Sequence, residues 1–143
     1  MKTIVIATGG FDPVHSGHIA YLNAAKELGD MLIVGVNSDE WLARKKGKPF
    51  MPYRERFTVV FNLKAVDNMV LFDDNDDTAI DAIRQTRLMY PSYKIIFANG
   101  GDRTKDNIPE MSFEDDNLEF VFGVGGENKL NSSSDILKNW KEK

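Results

Sequence analysis

The run Ile4-Val5-Ile6-Ala7 carries an apolar side chain at every position. A strand alternates its faces with a period of two, so this one must be covered on both sides. Similar stretches rich in Val and Ile recur at residues 31–36, 68–72, 93–98 and 118–122. Between them lie helical patterns. Ile19, Leu22, Ala25 and Leu28 are spaced by three, with Gly29 placed to end that helix as a C-cap. Ser38 or Asp39 can cap a short helix carrying Trp41 and Leu42. Further helices are predicted over about residues 54–64, 78–89 and 133–140. Alternating strands and helices with uninterrupted apolar strands predict an α/β fold. The expectation is a single doubly wound, Rossmann-like domain over residues 1–143 with a five-stranded parallel sheet. Sheets of this kind bind ligands beyond the C-terminal ends of their strands, near the switch point.

Composition removes several classes of function. The net charge of −4 argues against broad nucleic-acid binding, which requires Lys and Arg to neutralise many phosphates. No apolar run approaches the roughly 18 residues of a membrane span, and residues 4–7 lack the shape of a signal peptide. The chain has no cysteine, so disulfides, zinc–thiolate sites and thiol nucleophiles are excluded, and a cytoplasmic location is the expectation. The charge is unevenly spread: Arg44, Lys45, Lys46 and Lys48 place four cations in five residues, followed by Arg54 and Arg56. Acids gather at residues 73–77, read as a solvated loop that caps the next helix, and at 114–116. A local basic cluster in an acidic chain suits a small polyanion better than a duplex.

The first strand runs directly into Thr8-Gly9-Gly10-Phe11-Asp12-Pro13-Val14-His15-Ser16-Gly17-His18. Gly9 and Gly10 let the main chain approach a phosphate where a side chain would obstruct it. The helix that follows presents unpaired N–H groups and about half a positive charge at its start. His15 and His18 are the chain's two histidines, and three residues apart at a helix start they share a face. Such a pair can donate hydrogen bonds to phosphate oxygens and stabilise charge building at an attacked α-phosphate. A bound anion could hold them partly protonated. A metal site made by Asp12, His15 and His18 is the alternative reading.

The segment resembles the signature of the nucleotidyltransferase superfamily, Gly-x-Phe-Asp followed by His-x-Gly-His, and the resemblance extends over nearly the whole chain. That superfamily includes glycerol-3-phosphate cytidylyltransferase, the adenylyltransferase of ADP-heptose synthesis, and the nicotinate-mononucleotide and phosphopantetheine adenylyltransferases. The resemblance implies that His15 and His18 contact the triphosphate. It also implies that an acceptor phosphate attacks the α-phosphate and releases pyrophosphate without a covalent enzyme intermediate.

Later motifs agree with this resemblance. Leu28-Gly29-Asp30 and Val36-Asn37-Ser38-Asp39 look like the cytidylyl and heptose-phosphate branches. Lys46-Gly47, followed by Pro49, resembles their lysine loop, making Lys46 the candidate that neutralises triphosphate charge. Arg56 matches an arginine near the next helix start and is a candidate for acceptor binding, with Asp12 and Arg103. Gly100-Gly101-Asp102 resembles a Gly-Gly-Asp turn of the heptose-phosphate branch, where Arg103 stands in place of a more usual tyrosine. Ser132, Ser133 and Ser134 resemble the hydroxyl-rich opening of the superfamily's last helix, suited to β- and γ-phosphates. Before it, Glu127-Asn128-Lys129-Leu130 stands where the cytidylyltransferases carry an Arg-Thr-Glu-Gly run, and Lys129 cannot supply an arginine's bidentate fork.

These features predict a catalytic set of His15, His18 and Lys46. The nucleotide-binding set is Thr8, Gly9, Gly10, Phe11, Gly17, Gly100, Asp102, Ser132, Ser133 and Ser134. The resemblance implies CTP or ATP as donor, a phosphorylated sugar or polyol as acceptor, and magnesium (Mg2+) carried with the triphosphate rather than at a protein metal site. It also implies a homodimer, with no nucleic-acid or membrane partner. The rivals are a noncatalytic nucleotide binder that retains the fold, and a nicotinate-mononucleotide-type adenylyltransferase, which the Phe11-Asp12-Pro13-Val14 run would favour.

Overall fold

The computed structural model describes residues 1–101, 108–125 and 133–141. Strands β1 (Thr3–Gly9), β2 (Met31–Val36), β3 (Asn68–Met69), β4 (Lys94–Gly100) and β5 (Leu118–Val124) form one sheet in the order β3-β2-β1-β4-β5. Every pairing is parallel, as the uninterrupted apolar strands require. Ile4, Val5, Ile6 and Ala7 are all fully buried. Val5 and Ala7 pack with Leu22 and Ala25 of α1 (Ser16–Lys26) and Val60 of α3 (Tyr53–Phe61). Ile4 and Ile6 face the other way, against Ala82 and Ile83 of α4 (Ile80–Met89). Each large aliphatic side chain so buried contributes about 1.5–3 kcal/mol. α2 (Asp39–Lys46) and α5 (Ser133–Lys141) complete the helices.

The chain leaves β1 in one direction through β2 and β3 and returns on its other side through β4 and β5, so the switch point lies between β1 and β4. Their paired register ends at Ile6 and Phe97, while β1 continues to Gly9 and β4 to Gly100. The two strand ends therefore separate, and the crevice they leave is where such a sheet receives its ligand.

Several expectations need correction. Helix α1 ends at Lys26 with Glu27 as C-cap, so Gly29 is not the cap. Its role is close approach, because a Cβ there would lie 2.9 Å from the Thr3 carbonyl oxygen. The buried face of α1 is Leu22 and Ala25, with Ile19 and Leu28 more than a third exposed. Leu88, in the helix predicted over residues 78–89, is 70% exposed, and Ala82, Ile83 and Thr86 form the inner face. β3 covers two residues rather than five: Val70 still donates to the Val34 carbonyl, but Leu71 turns outward at this edge of the sheet. The basic stretch is helical, since Arg44, Lys45 and Lys46 form the last turn of α2 and complement its negative end.

Candidate active site

Helix α1 begins at the C-terminal edge of β1, and its first turn is capped by the two histidines themselves. His15 is the N-cap, and its Nδ1 accepts from the Gly17 N–H at 3.0 Å. His18 reaches back in turn, and its Nδ1 accepts from the His15 N–H at 3.3 Å. Serine or threonine with glutamate normally makes this reciprocal cap. With imidazoles, accepting through Nδ1 leaves Nε2 as the proton-bearing nitrogen on each neutral ring. The cap thus selects the tautomer in which both rings are donors at Nε2. The rings stack at 3.8 Å with an interplanar angle of 25°, so the helix start holds them side by side. Burial, with the charge of His15 adding to it, pushes His18 down to about 4 from its ordinary 6.5, so near neutrality it is an uncharged donor.

Phe11 supports this pair from below. It is buried, its ring lies 4.8 Å from that of His18, and it fills the space beside Gly9. It is therefore core wall that supports His18. Gly17, expected in the nucleotide-binding set, donates its amide to His15 Nδ1. Thr8 is half-buried in β1 opposite Gly35. At Gly10 a Cβ would sit 3.0 Å from Leu42 Cδ2 of α2, so the leucine end would have to give way by a few tenths of an ångström.

The loop from Gly10 to Pro13 gathers the remaining candidates. Lys46, at the end of α2, donates to the Asp12 carbonyl at 2.9 Å and pairs with Asp12 Oδ2 at 2.6 Å. Ser133, the first residue of α5, donates from Oγ to the Pro13 carbonyl at 2.9 Å. Three helix ends, those of α1, α2 and α5, thus meet on one loop that contains the end of the first strand's motif. Ser134 is exposed. Gly100 ends β4 against the Tyr21 ring, and the Tyr21 hydroxyl donates to the Ala98 carbonyl at 2.7 Å, tying α1 to the far side of the crevice. Asp102, Arg103, Ser132 and the 127–130 departure lie outside the described residues.

Two acceptor candidates are placed elsewhere. Asp12 is 2% exposed, and its oxygens accept from the Phe50 and Met51 amides, both at 2.6 Å. Burial would raise its pKa, but the Lys46 ammonium and those two amides outweigh it and hold the carboxyl below its ordinary value. Arg56 is fully buried. Its guanidinium donates to Met51 O (2.8 Å), Gly10 O (2.9 Å), Asn37 O (2.7 Å) and Asp39 Oδ1 (2.7 Å). It fastens the ends of β1 and β2 to the start of α2 from a fully buried position. The Asp12 carboxylate of the combined metal reading is engaged by the Phe50 and Met51 amides and the Lys46 ammonium. Among the described residues no three His, Asp or Glu side chains converge as ligands.

Sequence reasoning missed the support beneath α2. Asp74, read as solvated, is buried and accepts from Asn37 Nδ2 (3.0 Å), Ser38 N (2.8 Å) and Ser38 Oγ (2.7 Å). Ser38 Oγ at the same time caps α2 by accepting from the Trp41 amide. The polar pair Asn37-Ser38 directly after a buried strand was the available signal; nothing in the acidic run distinguished Asp74 from its neighbours.

A family model described as cytidylyltransferase-like matches residues 6–136. The bifunctional protein HldE of a Nitratiruptor species is 44% identical over 103 residues, covering 71% of this chain and 21% of that protein. The protein of the same name in Geobacter sulfurreducens is 32% identical over 146 residues, covering 99% of this chain and 28% of its own length. The chain therefore spans between a fifth and a third of these curated relatives. Among solved structures, the lipopolysaccharide core biosynthesis protein from Thermoplasma volcanium superposes with a TM-score of 0.64 at 28% identity, covering 92% of this chain and all of that one. A putative nicotinate-nucleotide adenylyltransferase from Vibrio parahaemolyticus has a TM-score of 0.64 at 18% identity, covering 99% of this chain and 88% of that one, a likeness of fold. No helix among the described residues is long and apolar enough to cross a membrane.

Proposed function

The chain belongs to the cytidylyltransferase-like family, and from that premise we propose that it transfers a nucleotidyl group from a nucleoside triphosphate to a phosphorylated sugar. The observation that carries this reading is the reciprocal histidine cap, which turns two Nε2–H donors into fixed features of a helix start beside the β1/β4 crevice. An acceptor phosphate oxygen attacks the α-phosphorus, the bond to the bridging oxygen breaks, and pyrophosphate leaves with that electron pair. The imidazole donors and the helix start stabilise charge on the α-phosphate, and the Lys46 ammonium neutralises the departing oxygens. Catalysis is then positioning and electrostatics, with no covalent intermediate. A magnesium ion fits as a companion of the triphosphate oxygens, because Asp12, the acid nearest the histidines in sequence, already engages two amides and an ammonium.

Adenylyl transfer to a heptose phosphate is the specific form we favour. The similarity to proteins named HldE and to a lipopolysaccharide core biosynthesis protein supports it, as does the Gly100-Gly101 turn. Ser38 and Asp39, of the motif shared by the cytidylyl and heptose-phosphate branches, have structural duties here: Ser38 caps α2 and Asp39 pairs with Arg56. The test is pyrophosphate release with magnesium, crossing ATP, CTP, UTP and GTP against heptose 1-phosphate, glycerol 3-phosphate and nicotinate mononucleotide. Turnover is expected with ATP and the heptose phosphate. Binding of triphosphate with no turnover in any pair would establish a noncatalytic binder instead.

A further inference from the structure

We propose that Asp12 is a positioning residue that governs Lys46 from both sides of its loop: it docks the ammonium directly and pins the main chain that follows. The inference rests on the reading of Lys46 as a triphosphate ligand. Lys46 sits on Asp12 through two contacts, 2.6 Å to Oδ2 and 2.9 Å to the main-chain carbonyl. Beyond it Gly47 ends α2 at φ +95, with open space where a side chain would be, so the helix is released there. The chain is caught again at Phe50 and Met51, whose amides donate to the same carboxylate. Residues 47–49 are thus a short span with both ends held by one side chain.

The distribution of donors matters. The Phe50 amide is on Oδ2 and the Met51 amide is on Oδ1, each at 2.6 Å. When the ammonium moves to a triphosphate, each carboxylate oxygen keeps one N–H donor. Asp12 then remains hydrogen-bonded although buried, which removes most of the penalty for separating the pair. Arg56 holds the Met51 carbonyl and the Gly10 carbonyl at 2.8 and 2.9 Å, so the pinned segment cannot follow the lysine. The lysine side chain exchanges one anion for another while its loop stays in place. Asp12 is three residues before His15 along the chain, so the loop that docks the ammonium leads directly into the histidine-capped helix.

The test is a double-mutant cycle on ATP binding, measured by calorimetry with magnesium, using Asp12→Asn and Lys46→Met singly and together. Asp12→Asn places an amide NH2 against a main-chain N–H and removes the charge. It is expected to weaken ATP binding about tenfold or more with Lys46 present, and less than twofold in combination with Lys46→Met. Equal losses in both backgrounds would mean that Asp12 acts on the fold alone and would overturn the proposal. Should Asp12→Asn not fold, Asp12→Ser enters the same cycle. Amide hydrogen exchange of the unaltered protein gives a further check. Phe50 and Met51 are expected to stay protected when ATP binds, and loss of their protection would overturn the exchange described. Pyrophosphate release by the unaltered protein is followed in parallel. Its absence with ATP binding intact defeats the transferase reading, whereas turnover without coupling defeats only the role of Asp12.

Discussion

The main-chain N–H of His15 donates to Nδ1 of His18 at 3.3 Å, and the two rings stack at 3.8 Å. The histidines therefore do two things with different atoms. Nδ1 completes the helix start, and Nε2 carries the proton outward. Substituting either ring removes a cap and a donor together, so the effects on folding and on turnover have to be read separately.

His18→Ala is expected to lower kcat by about 10²–10³-fold, the size of effect seen when one preorganised donor to a developing oxyanion is deleted. The lost cap should cost only about 1 kcal/mol of stability. Steady-state kinetics beside a urea melt separates the two. Turnover within threefold of the unaltered protein would remove His18 from the chemistry.

The pH dependence of stability follows from the lowered His18 value. Its folded pKa of about 4 lies below the unfolded 6.5, so the unfolded chain binds more protons between them. The contribution is fully present above about pH 6.5 and is lost as pH falls towards 4. At about 1.4 kcal/mol per pH unit it amounts to at most ~3 kcal/mol. Urea midpoints from pH 7.5 to 4.5 should fall in the unaltered protein and fall less in His18→Gln. Parallel slopes would show that other groups carry the dependence.

Arg56→Lys keeps the charge and loses the fork. A lysine cannot satisfy Met51 O, Gly10 O, Asn37 O and Asp39 together from within a fully buried site. A loss of about 3 kcal/mol is expected by chemical denaturation, since buried carbonyls are left without donors. A change below 0.5 kcal/mol would show that the fork is dispensable.

Thr86 is fully buried on the inner face of α4, and its hydroxyl has no hydrogen-bond partner among the described residues. Thr86→Val keeps the shape and removes the buried polar atom. It should be neutral or stabilising by up to about 1 kcal/mol, read as an unchanged or higher melting temperature. A clear destabilisation would mean that the hydroxyl is satisfied in solution.

The parallel sheet was legible because Ile4-Val5-Ile6-Ala7 and its counterparts leave no polar face, and burial on both sides is the one environment that suits them. Met31–Val36 coincides with its predicted span for that reason. The histidine-capped helix start after β1 was legible because glycines and histidines next to a strand end form a local pattern. Exposed positions such as Leu88 were not legible, since periodicity shows a helix but not how wide its buried stripe is. The edge strand β3 was overextended because apolar residues continue past the point where a neighbour remains to pair with.

Local pattern by itself determined the fold class, the strand that leads into the histidine-capped helix, and the sharing of one helix turn by His15 and His18. Charge could not be assigned in that way. Asp12, Arg56 and Asp74 read as surface or ligand-facing groups, and each is buried under the loops it fastens. Phe50, Gly10 and Asn37, which they bind, lie 38, 46 and 37 residues away along the chain. Whether a charged side chain meets solvent, substrate or main-chain groups depends on which distant segments the fold brings against it. A carboxylate or guanidinium is tolerated in the interior only where those segments supply its hydrogen bonds, and only the tertiary structure decides that.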